Sequence, residues 1–257
     1  MLLRSLFQTC LLLLLASVPA MAHFGMVIPS NPIADQANKQ LQAIFSFSHP
    51  FSGIGMDMTK PNRTGVLHNG HMSDLTDTLI PATVMGHKAW RADYIATRPG
   101  AHILFMEPQP YWEPSEDAFI IHYTKTIAPA FGVESGWDAL VGFPIEIKPL
   151  LRPFGNYAGN LYTAQVFFNN KPLSDTEVEI EYYNQNNQFA APTPYHETQV
   201  VKTNSDGIFS FVCPQPGWWG FAALATADYQ LPDPKGHPKP VELGAVLWVY
   251  MDAWKER

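Results

Sequence analysis

The sequence predicts an all-β protein made of two β-sandwich domains. Its 23 prolines and 17 glycines are spread along 257 residues. The runs between them are short and rich in aromatic and β-branched residues, which is typical of strands joined by turns. Long amphipathic helical patterns are missing, and the best helical stretch is a short one near 134–140. The spacing of proline and glycine, the composition of the runs between them and the lack of helical periodicity therefore all predict the same fold class.

Apolar residues with a period of two predict strands, since successive side chains of a strand point to opposite faces. The predicted strands span 24–28, 44–49, 119–123, 176–183, 208–212 and 241–250. In the second of these, Phe45, Phe47 and His49 share one face. In 176–183 three glutamates alternate with apolar residues, which predicts one solvent-exposed face.

A stretch poor in alternating positions divides the chain in two. Residues 149–160 contain two prolines, two glycines and two asparagines, which favours a linker. We therefore expect an N-terminal β-sandwich at 23–150 and a C-terminal one at 151–257. The order of strands and turns in the second part is similar to a transthyretin-like or immunoglobulin-like sandwich.

Residues 1–22 have the pattern of a cleaved signal peptide. Arg4 precedes an apolar run, and Ala20-Met21-Ala22 is an A-x-A cleavage site. Cleavage would leave a mature chain that starts at His23, has no membrane span and retains only Cys213. An exported protein without internal disulfides suggests the bacterial periplasm.

The charge balance limits the partners. The formal net charge is −7 and there are no basic runs, so the sequence argues against binding to nucleic acid or to an anionic membrane surface.

The predicted mature N-terminus carries the clearest chemistry. A terminal histidine offers its α-amine and its ring Nδ1, which together can close a chelate ring on a metal ion. The reference pKa values are near 8 for the amine and near 6.5 for the imidazole, so both can lose a proton at neutral pH at small cost. Nitrogen ligands suit nickel, cobalt, copper and zinc. The alternative is that cleavage falls before His23 by coincidence.

Two further imidazoles are candidate ligands. His49 ends a predicted strand before Pro50, and His122 lies within a predicted strand beside apolar residues. Each alone is more often a hydrogen-bonded core residue, because a buried imidazole needs a partner. Both are predicted ligands only if their strands lie next to strand 24–28, which would bring the two imidazoles close to His23.

Other polar groups receive weaker interpretations. The rigid segment 107–117 carries four glutamate or aspartate residues, including Glu113 and Glu116, which could orient a ligating imidazole or neutralise a cation. His68, His71 and His87 are expected in solvated loops, and His102 in a strand.

Several segments carry a family resemblance. These are His23–Ser30, Ser48–Phe51, Met56–Met58, Pro110–Pro114, Phe119–Lys125, Gly217–Leu224 and Val241–Val249. They resemble a bacterial family of uncharacterised exported proteins labelled as periplasmic components of ABC-type cobalt/nickel transport systems. The resemblance implies periplasmic binding of nickel or cobalt and delivery to a membrane uptake complex. It carries His23, His49 and His122 over as matching motif positions.

The function predicted from the sequence is therefore periplasmic binding of divalent nickel or cobalt, without catalytic turnover. Copper is an alternative, because the same nitrogen set holds Cu(II) more tightly, either in a binding protein or in a copper enzyme with an N-terminal histidine. A structural or adhesive β-sandwich without metal is the third alternative.

Overall fold

The computed structural model describes residues 22–256, so the predicted signal peptide lies outside the described residues except for Ala22. The predicted fold class is confirmed: the described chain is almost entirely strands and turns, in a sandwich-like arrangement of sheets. The strands of the first part are β1 (Phe24–Pro29), β2 (Gln40–His49), β3 (Ile54–Met56), β4 (Arg63–His68), β5 (His71–Asp74), β6 (Ile80–Val84), β7 (His87–Ile95), β8 (Gly100–Glu107), β9 (Tyr111–Glu113) and β10 (Ala118–Ala130).

The remaining strands follow after a loop. They are β11 (Ile145–Pro149), β12 (Asn156–Tyr157), β13 (Leu161–Phe168), β14 (Lys171–Pro172), β15 (Glu177–Tyr182), β16 (Gln199–Lys202), β17 (Ile208–Val212), β18 (Gly217–Pro232) and β19 (Pro238–Asp252). Between residues 22 and 256 the helices are two short 3-10 turns, Thr76–Thr78 and Gln185–Asn187, and one α-helical turn, α1 (Pro194–Glu197). The helix expected near 134–140 is wrong, because that segment forms turns.

The strands of residues 22–256 form three sheets. The central sheet has ten strands, with the path β16-β15-β18-β19-β10-β8-β4-β5 and with β9 and β12 at its sides. The N-terminal sheet contains β1, β2, β7 and β6, with β3 beside β2, and the small sheet contains β11, β13, β14 and β17. All six strands predicted from the sequence are present.

The two parts of the chain meet within the central sheet. Strand β10 pairs in parallel with β19, and His122 lies opposite Gly244 in that register. The predicted second domain therefore shares a sheet with the first. The boundary near residue 150 stays a prediction.

Successive side chains along the strands of the central sheet alternate between its two faces, and both faces are packed. One face carries Ile103, Ile121, Val178, Phe221 and Leu247, which pack on the small sheet in the largest hydrophobic core. The opposite face carries His122, Glu179, Glu242 and Gly244 by the same alternation. The N-terminal sheet covers part of this second face, where it forms a second core with residues such as Phe45, Leu104 and Ala128.

Strand β1 lies across the second face of the central sheet. Phe24 and Met26 pack with Trp218 and Trp248 in a third core. The Trp248 indole Nε1 donates to the Gly25 carbonyl at 2.8 Å, and Thr126 donates to the Val27 carbonyl. These contacts fix the start of β1 above β10 and β19.

Within residues 22–256, no helix is long and apolar enough to cross a membrane.

Candidate metal centre

The strand adjacency on which the metal hypothesis depends is present. Strands β1 and β2 pair antiparallel, with Phe24 opposite Ser48, so His23 and His49 emerge side by side at the end of the ladder. Their ring centroids lie 4.6 Å apart. Both residues are buried. The sheet register therefore brings together two imidazoles that are 26 positions apart in the sequence.

The third imidazole comes from the central sheet beneath β1. His122 is 1% exposed, and its ring fits a notch left by Gly25 and Gly244. A Cβ on Gly244 would overlap the His122 ring, and one on Gly25 would lie 3.1 Å from the His122 Cβ. These two glycines are therefore required for the packing of the imidazole between β1 and β19.

His122 is incompletely hydrogen-bonded. Its Nδ1 accepts the Gly25 N–H across a long 3.4 Å contact. Its Nε2 has no hydrogen-bond partner among residues 22–256 and lies 3.6 Å from the Glu242 Oε1. A buried polar atom without a partner carries a desolvation cost of about 1–3 kcal/mol, so it calls for an explanation in structure or function.

The aromatic ring of Phe47 contacts two of the three histidines. The Phe47 centroid lies 5.6 Å from His23 and 5.7 Å from His122. Tyr111 packs on the other side at 5.0 Å from Phe47. This apolar contact limits water at the imidazoles.

Two carboxylates from the predicted rigid segment flank His23. The Glu113 Oε2 lies 3.2 Å from the His23 Nε2, and the Glu116 Oε1 lies 3.5 Å from its Nδ1. The second Glu113 oxygen accepts the Ser115 N–H at 2.9 Å and its hydroxyl at 2.5 Å. Both Glu113 oxygens are therefore engaged, and a carboxylate on Nε2 leaves the His23 Nδ1 free to bind an ion.

His49 is held by the residue that precedes His23. Its Nδ1 donates to the Ala22 carbonyl oxygen at 2.7 Å. Because a carbonyl oxygen can only accept, the proton of the neutral imidazole lies on Nδ1 and the lone pair on Nε2. The bond at which the predicted cleavage would occur is thus in contact with a candidate ligand.

Burial keeps the His23 imidazole neutral. Burial, followed by the charges of His49 and His122, lowers the pKa of His23 from 6.5 to about 4 against the opposing effect of Glu113. The pKa of His49 is also lowered, chiefly by burial. A neutral imidazole is the form that binds a metal ion.

A row of acidic side chains lies beside the histidines on the same face of the central sheet. Burial, followed by the charges of Glu242 and Glu181, raises the pKa of Glu179 to about 8. Burial, followed by Glu242 and Glu113, raises the pKa of Glu116 to about 6. Burial acts to raise the pKa of Glu242, but the interaction with His122 at 3.6 Å and the charge of His23 outweigh it, so this pKa is lowered. Burial and repulsion between the carboxylates therefore favour the protonated, neutral form of Glu179 at neutral pH, and no lysine or arginine is among these described contacts.

Among residues 22–256, no group of three or more histidine, cysteine, aspartate or glutamate side chains already stands in an arrangement that could hold a metal ion. In this chain the backbone nitrogen of His23 belongs to the peptide bond with Ala22, so the α-amine of the predicted chelate is not available.

The other histidines lie elsewhere. His68, expected in a solvated loop, is half-buried and stacks on His102 with centroids 4.1 Å apart, so that expectation is wrong. The His102 nitrogens are both used, by the Tyr94 hydroxyl at 2.8 Å and the Arg98 carbonyl at 2.9 Å. This pair is a structural contact. His71 and His87 are exposed, as expected, but they begin strands β5 and β7, so their expected place in loops is wrong.

Glu242 and Glu179 were not predicted as site residues from the sequence. Glu242 stands between the buried residues Val241 and Leu243, and an isolated charge in a buried strand is a signal that could have been noticed. The expected solvent-exposed face of strand 176–183 is wrong for Glu181, which is 3% exposed, because the segment after β2 covers it.

Comparisons with known proteins give a family and two distant likenesses. The model of a domain of unknown function, DUF4198, matches residues 20–227. No curated protein matches the sequence. A "putative carbohydrate binding protein" from Bacteroides uniformis aligns over 89% of this chain and 97% of its own, with 12% identity and a TM-score of 0.25. The titin Ig tandem domains A164-A165 align over 91% and 100%, with 9% identity and a TM-score of 0.20. At these TM-scores neither likeness carries an argument.

Proposed function

The chain belongs to the DUF4198 family, and we propose that it binds a divalent transition metal ion, nickel or cobalt, at His23, His49 and His122. The observation that supports the proposal most strongly is the convergence of the three imidazoles at the start of β1, around the predicted cleavage point.

Cleavage after Ala22 would create two ligands in one event. It would turn the His23 backbone nitrogen into a primary amine next to its own ring Nδ1. It would also remove the Ala22 carbonyl that now binds the His49 Nδ1. Release of residues 1–22 thus supplies a chelate and frees a neighbouring imidazole.

The described side chains form no group of three that could hold a metal ion, so the proposal depends on the amine that cleavage would supply, and the chemistry of the histidines supports it. His23 and His49 are buried with lowered pKa values, so little proton competition opposes metal binding. The His122 Nδ1 accepts the Gly25 N–H, so the partnerless Nε2 carries the proton of the neutral ring, and this proton would have to move to Nδ1 before Nε2 could bind a metal. Glu113 on the His23 Nε2 is a typical outer-shell partner of a metal-binding histidine.

Nickel and cobalt are proposed from the resemblance to exported proteins labelled as components of cobalt/nickel transport systems. Nitrogen donors also suit copper, which stands above nickel in intrinsic affinity. Selectivity in the cell would then come from metal supply and from a membrane uptake complex that receives the ion. The periplasm is the compartment that this role requires.

A titration with nickel tests the site. Three forms are compared by isothermal calorimetry: the chain that starts at His23, the same chain with His23→Ala, and a chain that retains Ala22. We expect one nickel per chain in the first form and affinity weaker by roughly tenfold or more in the other two. The exposed His71→Ala variant serves as the matched control and should bind like the first form. Equal affinity in all forms would defeat the chelate.

A further inference from the structure

We propose that a groove between the N-terminal sheet and one end of the central sheet binds a neutral oligosaccharide, an activity separate from the proposed metal binding. One wall is the face of β1 and β2 that carries Met26 and Ile44, and the other carries Trp218 and Tyr250. The groove has a volume of about 550 Å³, which is within the range of cavities that bind small ligands.

The register of β1 and β2 builds the first wall. Met26 lies opposite Ser46, and Ile28 lies opposite Ile44. Because side chains alternate along a strand, these four residues share the face opposite to Phe45, which belongs to the second core. Ile28 and Ile44 are only half-buried. This face of the N-terminal sheet therefore keeps apolar surface that a bound molecule can cover.

Three aromatic side chains form a row across the opposite wall. Trp218 lies opposite Tyr250 in the register of β18 and β19. On its other side the Tyr183 N–H donates to the Trp218 carbonyl at 2.9 Å. The Trp218 and Tyr250 rings pack edge to face, with centroids 5.2 Å apart. Neighbouring strands are about 4.8 Å apart, so this aromatic row spans about 10 Å, which is long enough to contact two linked sugar rings.

The aromatic row also offers polar atoms to a ligand. The nearby Tyr182 hydroxyl and Trp248 indole donate to backbone carbonyls. Within residues 22–256 the Trp218 indole and the Tyr250 hydroxyl have no such partner, and neither polar atom is fully buried. Tyrosine and tryptophan thus present an apolar ring together with a free hydrogen-bonding group.

The groove continues into a second cavity of about 440 Å³, and Tyr183 and Gln185 line both. The second cavity is lined mainly by residues with side-chain amides, among them Asn186 and Asn187. No aspartate, glutamate, lysine, arginine or histidine of residues 22–256 lines either cavity. An ionised ligand would find no opposite charge here, so the site suits an elongated, neutral molecule.

A neutral oligosaccharide matches this lining. The C–H faces of its rings can stack on the aromatic row, and its hydroxyls can donate to and accept from amides and phenols. A proline-rich peptide is the other class of ligand that binds in aromatic grooves. The amides of the second cavity favour the saccharide, because a polyproline segment offers few hydrogen-bonding groups in its side chains.

Calorimetric titration of the metal-free protein tests the proposal independently of the metal site. The probes are cellohexaose, chitohexaose, xylohexaose and maltohexaose, with hexagalacturonate as a charged comparison and a proline-rich decapeptide as the competing class. We expect at least one neutral hexasaccharide to bind with a Kd below about 1 mM, and neither hexagalacturonate nor the peptide to bind. Absence of binding by all four neutral sugars at about 10 mM overturns the proposal.

Three variants locate the binding. Tyr250→Ala removes part of the aromatic row and should weaken binding by about tenfold. Gln185→Ala should weaken it by about three- to tenfold; Gln185 is exposed, so this variant tests the groove even where Tyr250→Ala disturbs folding. The matched control is Trp254→Ala, because Trp254 is 75% exposed and stacks on Tyr157 outside the groove.

The control should bind like the unsubstituted protein. Sugar binding that is lost in Trp254→Ala and kept in Gln185→Ala overturns the assignment to the groove. Binding of the peptide in place of the sugars overturns the class of ligand, and equal binding of hexagalacturonate overturns the requirement for a neutral molecule.

Discussion

Glu181 couples the second part of the chain to the loop after His49, and its substitution by glutamine makes a sharp test of the buried acidic face. Its carboxylate accepts the Phe51 N–H at 3.0 Å and the Thr198 hydroxyl at 2.5 Å. Burial raises its pKa from 4.5 to about 7, although these two hydrogen bonds lower it.

The magnitude follows from the difference between the folded and unfolded pKa. Below pH 4.5 the Glu181 carboxyl is protonated in both states. Between pH 4.5 and 7 the folded state retains the proton that the unfolded state releases, so stability falls as pH rises. One pH unit of difference corresponds to about 1.4 kcal/mol, so ionisation of Glu181 destabilises the fold by about 3 kcal/mol above pH 7.

Urea unfolding of the metal-free protein at pH 4.5 and pH 8 measures this effect. The free energy of unfolding of Glu181→Gln, relative to wild type, should be higher at pH 8 than at pH 4.5 by about 3 kcal/mol. The difference between variants removes the opposite contribution of His23, whose lowered pKa costs stability as pH falls. Glu177→Gln on the same strand is the matched control.

A pH-independent difference between Glu181→Gln and wild type would refute the reasoning. It would mean that Glu181 is ionised at neutral pH at no cost, through hydrogen bonds stronger than the burial that opposes them.

Two further changes test the elements that position the site. Lys125→Met breaks the buried ion pair in which the Lys125 Nζ lies 2.6 Å from the Glu146 Oε1. Urea unfolding should show that the free energy of unfolding falls by about 3–5 kcal/mol, because the Glu146 charge stays buried without its partner. A decrease below about 1 kcal/mol would contradict the importance of that pair. Gly244→Ala places a methyl group where the His122 ring lies. The overpacking should lower the free energy of unfolding by about 1–3 kcal/mol and weaken nickel binding. Unchanged stability and affinity would show that the absence of a side chain at Gly244 is not required.

Local sequence pattern was enough to predict six of the nineteen strands that the described residues form. Residues 208–212 form β17 with the predicted bounds, and the predicted strand 44–49 is the second half of β2. Period two also put Phe47 and His49 on one face. These features depend on neighbours in the sequence, which is what periodicity reports.

Long-range pairing could not be predicted in the same way. Nothing local in 119–123 indicates that β10 pairs in parallel with β19, more than 100 residues later. This pairing places Glu242 and Gly244 against His122, so two groups that shape the candidate site depend on the register of distant strands. Glu113 and Glu116 were anticipated as possible partners of an imidazole, but their contact with His23 depends on the turn after β9.

The parallel pairing of β10 with β19 also determines when the pocket around His122 can form. His122 lies on a strand in the middle of the chain, yet one wall of its pocket is Gly244, which is made near the end of synthesis. A partly translated chain therefore lacks the finished pocket. If the chain binds a metal ion as proposed, His122 can contribute to the site only after the last strand has paired with β10.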